Sequence, residues 1–207
     1  MAADARRLVL LRHGRTAWNA EHRAQGHADV ELDDVGHTQA ATVAPYVARL
    51  EPEALWSSDL ARARQTAAYV EKETGLVARL DPRLREYDVG ERTGLTVAEF
   101  AAAHPEEHAA WLGGSYDAVR GAEGTADVLA RIVPACRELV ATVAPGATAV
   151  AVTHGAALRV ATAALLGWPV EHGRSLGVLD NCAMAVLDVP AGGAARLRSW
   201  NVGPDQP

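Results

Sequence analysis

Arg7-Leu8-Val9-Leu10-Leu11-Arg12-His13-Gly14 opens with a cation, runs through four apolar residues and closes on Arg, His and a glycine. An unbroken apolar run this short, stopped by a breaker, suits a strand buried on both faces, which requires helices above and below it. Ala54-Leu-Trp-Ser57, Val77 to Leu80 and Thr148-Ala-Val-Ala-Val-Thr153 read as further strands of this kind, and 182–188 and 195–200 as two closing strands. Helical segments fall between them at 36–50, from a Ser58 N-cap to Gly75, at 126–143 and at 155–166, with Pro45 expected to kink the first. Strands alternating with helices of this length predict an α/β fold: a three-layer αβα sandwich around a mainly parallel, six-stranded sheet. Residues 1–207 are expected to form a single domain, in which the loop-rich stretch 87–124, with Gly113-Gly114 and Gly121-x-x-Gly124, is a lid or specificity region.

Composition narrows the function classes. With 49% apolar and 22% charged residues, the 207-residue chain has the make-up of an ordinary globular protein. Its formal charge of -6 argues against a nucleic-acid or membrane-surface partner. Lys72 is the sole lysine, so the cations are arginines, the side chain best shaped to grip phosphate. A coding bias produces the same count, and only position distinguishes the two. Cys136 and Cys182 lack Cys-x-x-Cys spacing, giving neither a zinc pattern nor a disulfide framework. With no apolar run of signal-peptide or transmembrane length, a cytoplasmic protein is expected.

In open α/β sheets, ligands sit beyond the carboxyl ends of the strands, where helix N-termini also point. The first strand ends at Arg12-His13-Gly14, the second leads through Ser57-Ser58 to Arg62, and the fourth ends at Thr153-His154-Gly155. Two arginines and two histidines thus converge on one rim. Guanidiniums pair with phosphate oxygens while a neutral imidazole serves as nucleophile, so the set fits phosphoryl transfer. Glu86, just past the third strand, is the carboxylate best placed to protonate a leaving oxygen. Singly, each has a bland reading: a hydrogen-bonded structural histidine, or a solvated arginine in a first helical turn.

Leu10-Leu11-Arg12-His13-Gly14-Arg15-Thr16-Ala17-Trp18-Asn19 resembles the signature of the histidine phosphatase superfamily, the phosphoglycerate-mutase-like proteins. The similarity continues in order through Arg23-Ala-Gln25-Gly26, Leu32 to Ala40, Ser57 to Ala67, Leu84-Arg85-Glu86 and Thr153-His154-Gly155. The resemblance implies that His13 is the nucleophile and becomes phosphorylated. It further implies that Arg12, Arg62 and His154, with Gly155 beside them, bind the phosphoryl group, that Glu86 is proton donor and then base, and that Asn19, Gln25 and Gly26 line the pocket. It implies no metal and no cofactor, a small phosphorylated metabolite as partner, and a possible homodimer formed through a sheet edge, for which 182–188 is the plausible strand. Since Glu86 must hold a proton to act first as acid, the activity optimum is expected on the acidic or neutral side.

Three other readings compete. Gly173-Arg174-Ser175-Leu176-Gly177 matches a nucleophile elbow, but a strand rather than a helix is expected after it and no histidine follows His172. His104-Pro105-Glu106-Glu107-His108 matches a zinc-peptidase pattern, but Pro105 belongs in a first helical turn and puts His104 outside the helix. A non-catalytic phosphate-binding module is expected to lack a member of the set, and none is missing. Within the family, phosphoglycerate mutases are the alternative to phosphatases. Their pattern carries a longer basic insert before the second histidine and an asparagine where this chain has Ala156, so hydrolysis is favoured. Gly90-x-x-x-Gly94-Leu95-Thr96 and Leu176 to Ala183 look similar to phosphatases of sugar phosphoglycerates. Arg15, Arg23 and Arg92 are candidates for a substrate carboxylate, with surface solvation the default, and Trp111 and Tyr116 for a sugar, with plain packing the default.

Overall fold

The structure, a computed structural model, describes residues 5–204. Its strands are β1 (Arg6–Arg12), β2 (Pro52–Ser57), β3 (Arg79–Leu80), β4 (Thr148–Thr153), β5 (Met184–Val189) and β6 (Arg196–Val202). Its α-helices are α1 (Ala17–Ala20), α2 (Asp34–Ala48), α3 (Ala61–Thr74), α4 (Val97–Ala103), α5 (Pro105–Gly113), α6 (Thr125–Ala141) and α7 (Gly155–Leu165). The six strands form one sheet in the order β3-β2-β4-β1-β5-β6. Pairings among β1 to β4 are parallel, and β5 and β6 are antiparallel. This is the expected α/β sandwich.

Period-two alternation divides the core between two layers. Leu8, Leu10, Ala149, Ala151, Ala185 and Leu187 pack with α6 and α7, whereas Val9, Leu11, Val150, Val152, Met184 and Val186 pack with α2 and α3. Leu8 to Leu11 are fully buried. Burying such a side chain contributes on the order of 1.5–3 kcal/mol, which ties β1 firmly between its helical layers.

Several boundaries differ from the sequence reading. Ser58 does not cap α3: the N-cap residue is Leu60, and the first helical N–H, that of Ala61, is met at 2.6 Å by the Asp29 carboxylate from a distant loop. Asp29 supplies the acceptor the helix end needs, and Ser58 is released for another partner. Only Arg79–Leu80 of the third strand pairs. Pro45 lies within α2, which continues past it. Segment 182–188 is not a sheet edge, because β5 has β1 on one side and β6 on the other, and the outer strands are β3 and β6.

Strand register places the site. Arg12 pairs with Thr153 across β1 and β4, and Ser57 with Val152 across β2 and β4, so His13, His154 and Ser58 leave the sheet at the same level. The loop after His13 rests on the start of α2 through two glycines. A Cβ on Gly36 would stand 2.0 Å from the Arg15 carbonyl oxygen, and one on Gly14 2.5 Å from that of Gly36. Because backbone is the obstacle, Gly36→Ala is expected to cost about 1–3 kcal/mol, the range for overpacking. Urea unfolding checks it, and an unchanged midpoint would refute this account of the turn.

Candidate active site

Arg12, His13, Asn19, Gln25, Gly26, Arg62, Glu86 and Gly155 line one cavity of about 280 Å³ at the carboxyl end of the sheet. His154 stands behind it, fully buried, with its ring centroid 5.1 Å from that of His13. The structure thereby brings together the residues singled out in the sequence.

Hydrogen bonds to groups that can act in only one way set both imidazole tautomers. His13 Nδ1 lies 2.7 Å from the Gly14 carbonyl oxygen. A carbonyl only accepts, so Nδ1 carries the proton and Nε2 holds the lone pair. His154 is the reverse: Arg62 Nε donates to its Nδ1 at 3.2 Å, leaving Nε2–H to donate to Ser58 Oγ at 2.9 Å.

Arg62 is 1% exposed, and a guanidinium so deeply buried needs acceptors. It donates to the Ala28 and Gly26 carbonyls, each at 2.8 Å, as well as to His154. Gly26 can approach because it has no side chain: its φ is +52°, and a Cβ would lie 2.7 Å from Val89 Cγ2. Burial lowers the Arg62 pKa to about 10, which leaves it charged at neutral pH. Arg12 donates to the Leu179 carbonyl, while its Nε is buried without a protein partner, as is Gln25 Oε1.

Burial, followed by the charges of Arg62 and Arg12, holds His13 well below the usual histidine range, and burial followed by Arg62 does the same for His154. Both imidazoles are therefore neutral at neutral pH. For His13 this preserves the Nε2 lone pair.

Glu86 sits at the N-terminus of α7, where its oxygens accept N–H bonds from Ala156 at 3.0 Å and Ala157 at 2.8 Å, and one accepts from Tyr87 at 3.0 Å. These free backbone donors fix the position of the Glu86 carboxyl group at the helix end. The Glu86 backbone carbonyl is gripped by Arg131 at 2.7 Å and His27 at 2.9 Å. Arg131 also donates to the carbonyls of Arg83 and Arg85 and to the Glu123 carboxylate. Sequence reasoning did not single out Arg131, His27 or Asn181, and it gave Ser58 as a helix cap rather than as a partner of His154. Asn181, whose amide donates to the His13 carbonyl at 3.0 Å, lies in a quoted motif, but an arginine on a long amphipathic helix carries no local sign of its target.

Arg15 pairs with Asp33 at 2.9 Å and does not line the cavity. Arg23 lines it but is engaged by Glu21, Glu99 and the Gly94 carbonyl. Arg92, Trp111 and Tyr116 also line it. Among the described residues, the group able to hold a metal is Glu91, His104 and Glu107, whose ligand atoms lie within 4.8 Å of one another. Arg120 already sits 3.2 Å from Glu91, and His108 turns instead toward Phe100 and Trp111. The Gly173–Gly177 elbow pattern falls in a 3₁₀ turn followed by a loop, not between strand and helix; the side chain of Arg174 lies outside the described residues.

Comparison with known proteins matches residues 8–203 to the model of the histidine phosphatase superfamily, branch 1. The chain belongs to this superfamily. It is similar to a glucosyl-3-phosphoglycerate phosphatase of Mycobacterium tuberculosis (strain CDC 1551 / Oshkosh), with 40% identity covering 88% of this chain and 85% of that one. It is also similar to a probable phosphoglycerate mutase of Cronobacter sakazakii, with 35% identity covering 87% of this chain and 84% of that one. A solved mycobacterial glucosyl-3-phosphoglycerate phosphatase in complex with VO3 superposes with a TM-score of 0.87 at 40% identity, covering 96% of this chain and all of that one. Superfamily membership and the buried neutral histidines fit one another.

The depressed histidines carry a linkage consequence. Below the ordinary histidine pKa of about 6.5 the unfolded chain binds protons that the folded chain does not, so stability is lost as pH falls. The loss is about 1.4 kcal/mol per pH unit for each such group. Denaturant unfolding between pH 7.5 and 5.5 should show it, and His13→Gln should flatten the fall; equal slopes in the two proteins would show that His13 does not titrate as described.

Proposed function

We propose that this protein is a phosphomonoester hydrolase that works through a phosphohistidine on His13 and acts on a sugar phosphoglycerate. The observation that carries the reading is the fixed tautomer of His13, whose Nδ1 is committed to Gly14 in a cavity walled by Arg12 and Arg62. The identity to glucosyl-3-phosphoglycerate phosphatases supports the substrate class.

In the proposed first step His13 Nε2 forms a bond to phosphorus as the ester P–O bond breaks. The departing alcohol oxygen takes the proton held by Glu86. In the second step water attacks phosphorus and gives a proton to Glu86, and the N–P bond breaks to release inorganic phosphate. Arg12 and Arg62 hold the charge that stays on the phosphoryl oxygens through a loose transition state. His154 sustains Arg62 through its Nδ1, and Asn19, Gln25, Gly26 and Gly155 shape the cavity. The 87–124 stretch acts as the lid, contributing Val89, Arg92, Trp111, Tyr116 and Val119 to its walls. We read residues 1–207 as one domain.

Mutase activity is the second reading, favoured by the 35% identity to a probable phosphoglycerate mutase. Ala156 gives α7 only a backbone N–H where the mutase pattern has a side-chain amide, and that N–H goes to Glu86, which supports transfer to water. The buried free thiols of Cys136 and Cys182 support a reducing, cytoplasmic setting, and no helix among the described residues is long and apolar enough to cross a membrane. A homodimer through an edge strand would use β6 or β3, and light scattering decides whether it forms.

His13→Ala should abolish phosphate release from p-nitrophenyl phosphate and leave no acid-labile phosphoprotein; turnover equal to the parent ends the phosphohistidine reading. Glu86→Gln should lower kcat/KM by about 10²–10⁴-fold on an alkyl phosphate, the usual range for a proton-transfer catalyst. The loss on p-nitrophenyl phosphate, whose leaving group needs no proton, should be much smaller, and equal losses would remove Glu86 as acid. On a panel of phosphorylated metabolites, a sugar phosphoglycerate should stand out with net phosphate release. A flat panel removes the substrate assignment, and interconversion of phosphoglycerates with little release supports the mutase.

A further inference from the structure

Five arginines line the cavity, and their partners divide them. Arg12 and Arg62 face the phosphoryl position, and Arg23 is neutralised by Glu21 and Glu99. Arg92 and Arg159 remain, and among the described residues neither guanidinium has a hydrogen bond or an ion pair. The Arg92 guanidinium carbon lies 4.0 Å from the Trp111 ring centroid and 5.4 Å from that of Phe100. A guanidinium lying on aromatic faces keeps its in-plane N–H edge available for a planar anion. Arg159 projects from α7, the helix whose first turn holds Glu86, and its rigid backbone is anchored in the core by fully buried Leu158 and Ala161.

The two cations reach the cavity from opposite sources, one from the lid region and one from the core, and both border one tyrosine pair. Tyr87 and Tyr116 pack with ring centroids 5.5 Å apart, the charge of Arg159 acts on Tyr87, and that of Arg92 acts on Tyr116. Arg92 is costly to bury as a cation, and an anion beside it would offset that cost. A phosphoryl dianion is already met by Arg12 and Arg62, so two further unneutralised guanidiniums imply that the ester carries a second anionic group. A planar carboxylate suits the bidentate edge of arginine.

We propose that Arg92 and Arg159 together form a carboxylate subsite, which makes this phosphatase selective for esters whose alcohol part is an acid. The assignment rests on the phosphatase reading and deepens it. It corrects the expectation for Arg15 and Arg23, which are held by Asp33 and by Glu21 and Glu99, and it adds Arg159, which the sequence did not bring forward.

The test compares 3-phosphoglycerate with glycerol 3-phosphate, which share a primary phosphoester and differ by a carboxylate against a hydroxymethyl group. The parent protein should show a kcat/KM at least ten-fold higher on 3-phosphoglycerate. In Arg92→Met and in Arg159→Met that preference should fall by five-fold or more, through KM on the acid. Both substrates meet the same folded fraction, so the ratio is insensitive to partial unfolding, and Arg159 tests the subsite without disturbing the lid stack. A preference that falls less than five-fold in both variants overturns the subsite. So does a parent protein that turns over p-nitrophenyl phosphate without preferring the acid. Failure to release phosphate from any of the three esters instead brings down the phosphatase reading, and the subsite with it.

Discussion

Two guanidiniums and two imidazoles share a space that water barely reaches, and this constraint governs the rest of the molecule. Arg62 is the extreme case. It cannot be buried as a cation without acceptors, and it finds them in the Gly26 and Ala28 carbonyls and in His154 Nδ1. Each partner then has a consequence. The Gly26 loop must approach closely, which is why its backbone adopts a conformation suited to glycine. His154 must present a lone pair on Nδ1, so its proton moves to Nε2 and toward Ser58. Burial, with positive charge so near, keeps both imidazoles neutral, the protonation state that a nitrogen nucleophile requires.

Glu86 is held on a separate frame. Glu86 is fixed from one side by the first turn of α7 and from the other by Arg131 and His27 on its own carbonyl. Because α7 begins immediately after His154, one strand end positions both the second histidine and the carboxylate. The parallel register of β1 and β4 sets His13 next to that unit, so a few strand pairings determine the relative placement of Arg12, His13, His154 and Glu86.

Much of the layered fold was legible because burial on both faces of a parallel strand leaves a local mark: Leu8 to Leu11 and Thr148 to Thr153 are apolar or nearly so throughout. The rim was legible for the same reason, since His13 and His154 directly follow such runs. What misled was chemistry whose partner lies far along the chain. Ser58 has the residue type and position of a helix cap, yet Asp29, 32 positions from the Ala61 amide it meets, does the capping. Segment 182–188 has the late position of an edge strand, but β6, later still, pairs on its outer side.

By itself, the sequence determined the alternation of strands and helices, the grouping of Arg12, His13, Arg62, Glu86 and His154 on one rim, and through these the class of reaction. Periodicity and strand-end position are local properties, and a chain displays them directly. Tertiary structure alone decided which proton sits on which imidazole nitrogen and which arginines remain available to a substrate. Arg23 and Arg92 look alike in sequence, yet one meets Glu99 across 76 positions while the other lies on Trp111 without a carboxylate. Hydrogen bonds and ion pairs depend on distances of a few ångströms between groups remote in sequence, and only the packed fold sets those distances.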